Sequence, residues 1–485
     1  MLKTHRIVVS THGVLLNALR HAFIRLGDDI GLLVFDEAHH AADKHDYNLI
    51  MREFYDELPP RVPEDADKTM RPMILGLTAS PIFGGATERN FRQLQQNLDS
   101  TICAPLQFRE MVEVRPELKP AIYAVPEYRL EGIPPSRNLQ SLGTVIASLD
   151  IEEDPQVLSL RAELRQLEPG PKRNHTDQQL SEAIDKHKTY TQTGLRDFER
   201  AAKDICSDLG EWAADWYIQQ VCKHATGAGN TFPEFFFTSE SEKEHLLKHL
   251  SRVEITPVPD DDPEDILRRT SNKVEKLVHV LLEEKNIFEK QKKKDDEKED
   301  YEKENGEKVG YCGLVFVKRR DTVLALTEIL TRHPRTAQEF TVGSLLGESD
   351  NTQHRSFLDI TRRLLRQPAN KTLKDFRAGN PNLIVATAVA EEGLDIQACC
   401  NVVRWDMPPN MVSWVQSRGR ARQKLSSFVL MLTDKLEFEL TKRRWEEQEK
   451  EMIKLYNTTQ EYQAIVDDED TNEDESLRFT VDATG

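Results

Sequence analysis

A chain of 485 residues, 38% hydrophobic and 31% charged, has the length of two or three domains and the composition of a globular protein with some long polar segments. No stretch approaches the roughly 20 apolar residues of a helical membrane span, and the apolar run at the N-terminus is too short for a signal peptide. Taken alone, the net charge of −18 argues against nucleic-acid binding. Charge is unevenly placed, however. Acids crowd residues 260–265, 295–307 and 467–475, and bases gather at 318–320, 362–366 and 418–424, so an acidic balance can coexist with a basic groove. Six cysteines without metal-site spacing predict reduced thiols in an intracellular protein, cytoplasmic or nuclear, with no membrane partner. The adjacent Cys399 and Cys400 read as core residues.

Along the chain, residues 7–10, 31–35 and 73–77 are short apolar runs ending in polar residues. Each predicts a buried parallel strand with a functional loop at its C-terminal end. Helix-like stretches such as 14–26 lie between them, which makes an α/β pattern with its ligand site beyond the strand ends. From about 140 to 275 the pattern changes. Leu195, Phe198, Ala202, Ile205, Leu209, Trp212 and Trp216 recur at helical spacing and predict one long amphipathic helix, its tryptophans packed in the core. Residues 289–308 are nearly all Lys, Glu and Asp and predict a mobile linker or a solvated helix. The α/β pattern then resumes, with strands at 311–317, 340–346, 383–386, 401–405 and 428–432 and a helix at 322–330. A long charged helix at 434–456 and an acidic linker at 467–476 follow.

Five strings carry chemistry. Asp36-Glu37-Ala38-His39 follows the apolar run 32–35. A carboxylate pair at a strand end suits phosphoryl transfer: Asp36 to hold Mg²⁺, Glu37 to orient and deprotonate the attacking water. The plainer alternative is a solvated loop with two acids. Thr78-Ala79-Ser80 closes the next strand, where its hydroxyls reach His39 and the carboxylates, or cap a helix before Pro81. Ser10-Thr11-His12-Gly13 closes the first run; Thr11 and the Gly13 amide at a helix start suit a nucleic-acid phosphate, or again a simple cap. In the second α/β region, Ala386-Thr387 leads into Glu391-Glu392-Gly393-Leu394-Asp395-Ile396. Thr387 suits a strand phosphate, Gly393 close backbone approach, and Asp395 a ribose hydroxyl or an arginine. Gln416-Ser417-Arg418-Gly419-Arg420-Ala421-Arg422 offers guanidinium groups for a γ-phosphate, or an Arg-rich solvated or RNA-binding loop.

Together with Phe316-Val317-Lys318-Arg319, these strings resemble, in order, motifs Ib to VI of superfamily 2 DEAH/DExH-box helicases, across about 415 residues. The resemblance implies two RecA-like P-loop NTPase domains with ATP and Mg²⁺ bound between them. It makes Asp36 and Glu37 the metal and water-activating pair and His39 a nucleotide-site residue. Thr78 and Ser80 become coupling residues. Gly393, Asp395 and Gln416 become nucleotide-facing, and Arg420 and Arg422 finger arginines, with the register among Arg418, Arg420 and Arg422 open. Thr11, Gly13, Lys318, Arg319 and Thr387 would touch RNA. The helical insert, the strings around Lys318 and Gly393, and the tail 479–485 resemble fungal Dicer-like proteins, the tail being similar to the start of their dimerisation domain.

On that likeness the chain divides into a partial first helicase domain (1–135), the helical insert (140–275), a charged linker (285–309), the helicase C-terminal domain (310–433), a connecting helix (434–462) and an acidic linker with the dimerisation-domain start (463–485). The implied partners are double-stranded RNA and a double-stranded-RNA-binding protein, in RNA silencing and antiviral defence. One departure stands out. Such motors use a G-x-x-x-x-G-K-[ST] loop ahead of the first strand seen here, and these residues contain none. Gly227-Ala228-Gly229-Asn230-Thr231 lacks the lysine. The expectation is a first domain truncated at its start, with an unpaired sheet edge. Three functions compete: an ATP-dependent duplex-RNA helicase, an RNA-binding module that does not turn over ATP, and a DNA-repair helicase of the same superfamily.

Overall fold

The computed structural model describes residues 5–59, 71–78, 87–103, 116–125, 136–226, 240–259, 262–298, 310–346, 368–387, 396, 398–423, 426–451 and 454–455. The chain begins with α1 (His12–Arg20), α2 (Leu26–Asp29), β1 (Leu32–Asp36), a 3-10 turn (Ala38–His40) and α3 (Asp46–Ile50), which runs into a π turn (Met51–Tyr55). Then come β2 (Met73–Leu77) and α4 (Thr87–Asn97). β1 and β2 pair in parallel, Leu32 opposite Met73 and Asp36 opposite Leu77. Because side chains alternate along a strand, Leu33 and Phe35 enter a core with Leu16, Leu19, Leu26, Ile50 and Tyr55.

Three expectations need correction here. Residues 7–10 form no strand, and Val9 is 93% exposed. An extended run becomes a strand only where backbone groups find partners, and β1 and β2 pair only with each other among the described residues. The first helix ends at Arg20 rather than 26, at a break where Ala22 takes a positive φ of 55°. Nor are β1 and β2 buried on both faces: Leu32, Val34, Met73, Leu75 and Leu77 are each about half exposed, since the described helices cover one side of this ribbon.

β3 (Glu117–Ile122) belongs to a second sheet, where it pairs in parallel with the strand 427–432. Its run contains Pro120, which has no N–H to donate and is tolerated because β3 is an edge strand. The helical region follows: α5 (Arg137–Ala147), α6 (Pro155–Gln166), α7 (Pro171–Asp185), α8 (Tyr190–Leu209), α9 (Glu211–Thr226), α10 (Glu240–Leu250), α11 (Pro263–Arg269) and α12 (Asn272–Lys298). The single helix expected through 195–216 is therefore two. Gly210 breaks it at φ +107°, and a Cβ there would lie 2.4 Å from the Arg269 carbonyl oxygen. Only glycine permits that conformation and that approach of α11. Trp212 and Trp216 are buried, as expected of core residues. α12 carries the start of the charged 289–308 stretch as helix; residues 299–309 lie outside the described residues.

The second sheet adds β4 (Gly313–Phe316), α13 (Arg320–Arg332), β5 (Val342–Leu345), α14 (Ala369–Arg377), β6 (Leu383–Ala386), β7 (Asn401–Arg404), α15 (Met411–Arg418) and β8 (Ser427–Leu432). Residues 435–451 form a further helix, α16. The sheet is parallel throughout, in the order β3-β8-β7-β4-β6-β5. β4, β6, β7 and β8 are buried along their whole length, which explains their unbroken apolar runs. Strand order reverses at β4, and ligands of such sheets bind beyond the strand ends at that switch.

The fold is thus α/β, with parallel sheets and a helical region. It divides into two compact units: Met1–Arg115 with Pro408–Gly419 and Leu436–Gly485, and Pro116–Met407 with Arg420–Lys435. In the second unit the helical region and the sheet share one core, running from Leu142, Phe198, Ile205 and Trp212 to Val315, Leu326 and Val403. Polar ties reinforce it. Asp215, buried on α9, accepts from Ser136, from the Asn138 N–H (3.0 Å) and from Arg269. Cys399 and Cys400 are buried as the sequence implied.

Candidate active site

The site begins where β1 ends. Asp36 is its last residue, exposed, and its Oδ1 accepts the Glu37 N–H at 3.1 Å. Glu37 then turns the chain into the left-handed region (φ 50°, ψ 50°), opening the 3-10 turn. A non-glycine residue held there stores about 1–3 kcal/mol of strain, which the surroundings must offset. Two neighbours hold the Glu37 carboxylate: His39 Nδ1 lies 3.4 Å from Oε2, and the Gln416 amide donates to the same oxygen at 3.5 Å. His39 is buried, and its Nδ1 also meets Thr78 Oγ1 at 2.9 Å, just beyond β2. The structure therefore gathers Asp36, Glu37, His39, Thr78 and Gln416 at one end of the β1–β2 ribbon. Ser80 lies outside the described residues.

Gln416 is presented by α15, whose N-cap Asn410 accepts the Ser413 N–H. α16 packs against it: Trp414 and Trp445 stack at 5.9 Å, and Arg418 binds Glu449 at 2.9 Å with both side chains largely buried. Arg418 is thus paired with α16, while the sequence-expected finger arginines also include Arg420 and Arg422. These two fall in the other unit, where the Arg420 carbonyl accepts the Cys399 N–H at 2.9 Å.

Around the DEAH turn lies a cluster of rings that sequence reading missed. His12, the first residue of α1, meets Asp46 through Nδ1 at 2.7 Å, and its ring lies 4.8 Å from His45. His40 lies 4.2 Å from His39 and stacks 5.2 Å from His45. His45 caps α3, its Nδ1 accepting the Tyr47 N–H at 3.2 Å. Burial, then the neighbouring His12 and His40, hold its pKa below the ordinary histidine value. Tyr47 donates its hydroxyl to the Asp36 carbonyl at 3.0 Å. Burial, with Asp36 and Glu37 nearby, raises the Tyr47 pKa and keeps the phenol a donor. The hint in the sequence is the histidine-rich run 39–45 after the carboxylates; its meeting with His12 is purely tertiary.

The residues expected at RNA separate into groups. Thr11 is exposed at the N-cap of α1 and spends no side-chain bond on the cap. Gly13 faces Asp46, whose Oδ2 would lie 3.3 Å from a Cβ there. Thr387 follows β6, its N–H 3.4 Å from the Leu345 carbonyl. Lys318 follows β4 with an exposed side chain, while its N–H donates to Asp406 at 2.6 Å. Arg319 is engaged within the protein: it forks onto Asp321 at 3.0 and 2.6 Å and reaches Asp204 on α8. Beside it, Lys273 binds Asp208 at 3.0 Å and lies 4.2 Å over the Trp405 ring. Burial raises the Asp406 carboxyl, partly offset by Lys273. Gly393 and Asp395 lie outside the described residues.

Residues 292–424 match the family model described as the helicase conserved C-terminal domain. Over its full length the chain is homologous to fungal Dicer-like protein 2. It is 34% identical over 496 residues to that of Neosartorya fischeri and 33% identical over 491 residues to that of Aspergillus fumigatus, in each case 100% of this chain and 32% of the relative. The Dicer-like protein 2 of Cryphonectria parasitica is 30% identical over 99% of this chain and 30% of its own. The chain spans about a third of the length of these relatives. The Hef helicase domain of Pyrococcus furiosus aligns with 89% of this chain and 77% of its own at 19% identity, with a TM-score of 0.36. No described helix is long and apolar enough to cross a membrane.

Proposed function

We propose that the chain is the motor region of a Dicer-like protein, with two RecA-like domains that couple ATP hydrolysis to movement on duplex RNA. The observation that carries this reading is the Glu37 carboxylate, fixed in a strained turn between His39 and Gln416, residues drawn from distant parts of the chain. That is how a general base for water attack on a phosphate would be held. Among the described residues no group of three or more His, Cys, Asp or Glu side chains is placed to bind a metal. The exposed Asp36 carboxylate at the strand end fits Mg²⁺ of the kind that keeps waters and takes its other oxygens from phosphates. Bound there, the ion would neutralise phosphate charge. Glu37 orients and deprotonates the attacking water. Gln416 and His39 hold Glu37, and Thr78 links that turn to β2. Arg420 and Arg422 supply positive charge to the γ-phosphate, and Gly393 and Asp395 line the nucleotide. Thr11, Gly13, Lys318 and Thr387 meet RNA, and Ser80 acts with Thr78.

The test is ATP hydrolysis, with and without duplex RNA, by a form of the chain extended to include a G-x-x-x-x-G-K-[ST] loop. Stimulated hydrolysis lost in Glu37→Gln is the expected result; a rate unchanged by that substitution refutes the assignment of the base. A second reading is an RNA-binding module without turnover. Salt-sensitive RNA binding with no hydrolysis would select it. Competition between duplex RNA and duplex DNA tests the RNA assignment itself, since 2′-hydroxyl contacts separate the two.

A further inference from the structure

We propose that Tyr47 is a positioning residue that ties the first turn of α1 to the carboxylate turn, so that what binds at α1 alters how Asp36 and Glu37 are held. The inference rests on the RNA reading of Thr11 given above.

Tyr47 touches both ends of this path. Its hydroxyl donates to the backbone carbonyl of Asp36, the peptide unit that leads directly into the left-handed Glu37. Tilting that peptide changes where the Glu37 carboxylate points, because the turn has few other conformations open to it. The ring packs 4.6 Å from Phe35 on β1 and 4.8 Å from His45. Its other contact is with α1: the His12 ring meets it edge-on at 5.7 Å and 81°. His12 directly follows the exposed Thr11, and its Nδ1 is anchored to Asp46, next to Tyr47 in the chain. A ligand that shifts the first turn of α1 therefore moves His12 against the Tyr47 edge. The Tyr47 hydroxyl carries that movement to the Asp36 carbonyl. Parallel ring contacts run from His12 through His45 and His40 to His39, which meets the Glu37 carboxylate at 3.4 Å, but contacts between rings set no direction. Tyr47 adds a directional hydrogen bond to the strained turn itself.

Amide hydrogen exchange of the chain, with and without a short blunt duplex RNA, tests this without requiring turnover. In the wild type, RNA is expected to slow exchange at residues 11–16 and also at 37–40. Tyr47→Phe keeps the ring and removes the hydroxyl. In it, the protection at 11–16 should remain while the gain at 37–40 falls by about fivefold, the worth of one net hydrogen bond. His12→Ala, which leaves the Tyr47 hydroxyl in place, should lose the same gain. A merely structural Tyr47 would lower stability without separating the two segments. Equal protection at 37–40 in the wild type and both variants overturns the proposal, as does protection at 11–16 alone in the wild type. Absence of RNA protection at 11–16 in every form refutes the RNA reading, and the inference falls with it.

Discussion

Lys318 and Arg319 are adjacent and both basic, and the helicase resemblance sends both to RNA, yet the structure gives them different surroundings. Arg319 forks onto Asp321, whose side chain is 11% exposed, and also reaches Asp204. Truncating it leaves Asp321 largely buried without its cation. A charge-assisted pair of this kind is worth about 1.5–3 kcal/mol, and with 38% of Arg319 exposed, solvent screening reduces the expected cost to roughly 1–2 kcal/mol. Lys318 has an exposed side chain and contributes only its backbone N–H to Asp406, which alanine retains. Lys318→Ala should therefore stay within about 0.5 kcal/mol of the wild type. In RNA binding the order reverses. Lys318→Ala should lower the slope of log affinity against log salt by roughly 0.7–0.9, the signature of one lost phosphate contact. Arg319→Ala should leave that slope unchanged. Urea unfolding and a salt series of RNA titrations on both variants provide the check. An Arg319→Ala protein of unaltered stability and shallower salt slope would show that Arg319 leaves its aspartates for RNA, and the structural assignment would be wrong.

Three further outcomes follow from the site and its surroundings. Unfolded His45 titrates near 6.5 and the folded ring lower, so its contribution to stability is full above that value and is lost as pH falls toward the folded pKa. His45→Asn, which keeps an acceptor at the cap, should flatten that part of a pH–stability curve; an unchanged slope refutes the point. Arg418→Ala takes one cation from the largely buried Glu449 carboxylate and should cost about 1–3 kcal/mol in denaturant titration. An unchanged midpoint would show that the pair does not hold α16 to α15. The open face of the β1–β2 ribbon should bind a hydrophobic dye, and Val34→Thr with Leu75→Thr should lower the fluorescence without lowering Tm. Undiminished fluorescence would place the dye elsewhere.

The sequence by itself determined the α/β class, the order of most strands and the strings that carry chemistry, because buried parallel strands leave unbroken apolar runs and a carboxylate pair at a strand end is a local pattern. The strands at 73–77 and 383–386 were legible to the residue for that reason. What required long-range contact was not legible. Pro120 hid β3, since only the whole sheet shows that this strand sits at an edge. The helical periodicity of 195–216 ran through Gly210, and the break became evident only where α11 presses its backbone on that residue. Residues 7–10 had strand chemistry but, among the described residues, no ladder to join. Within the site, the types of Asp36, Glu37 and His39 were readable from their spacing. Tertiary structure alone decided that Gln416 meets Glu37, that Arg418 and Arg319 are committed to carboxylates, and that Tyr47 reaches the Asp36 carbonyl. A side chain's chemistry is local, but the partner that occupies it is chosen by the packing of segments far apart in the chain.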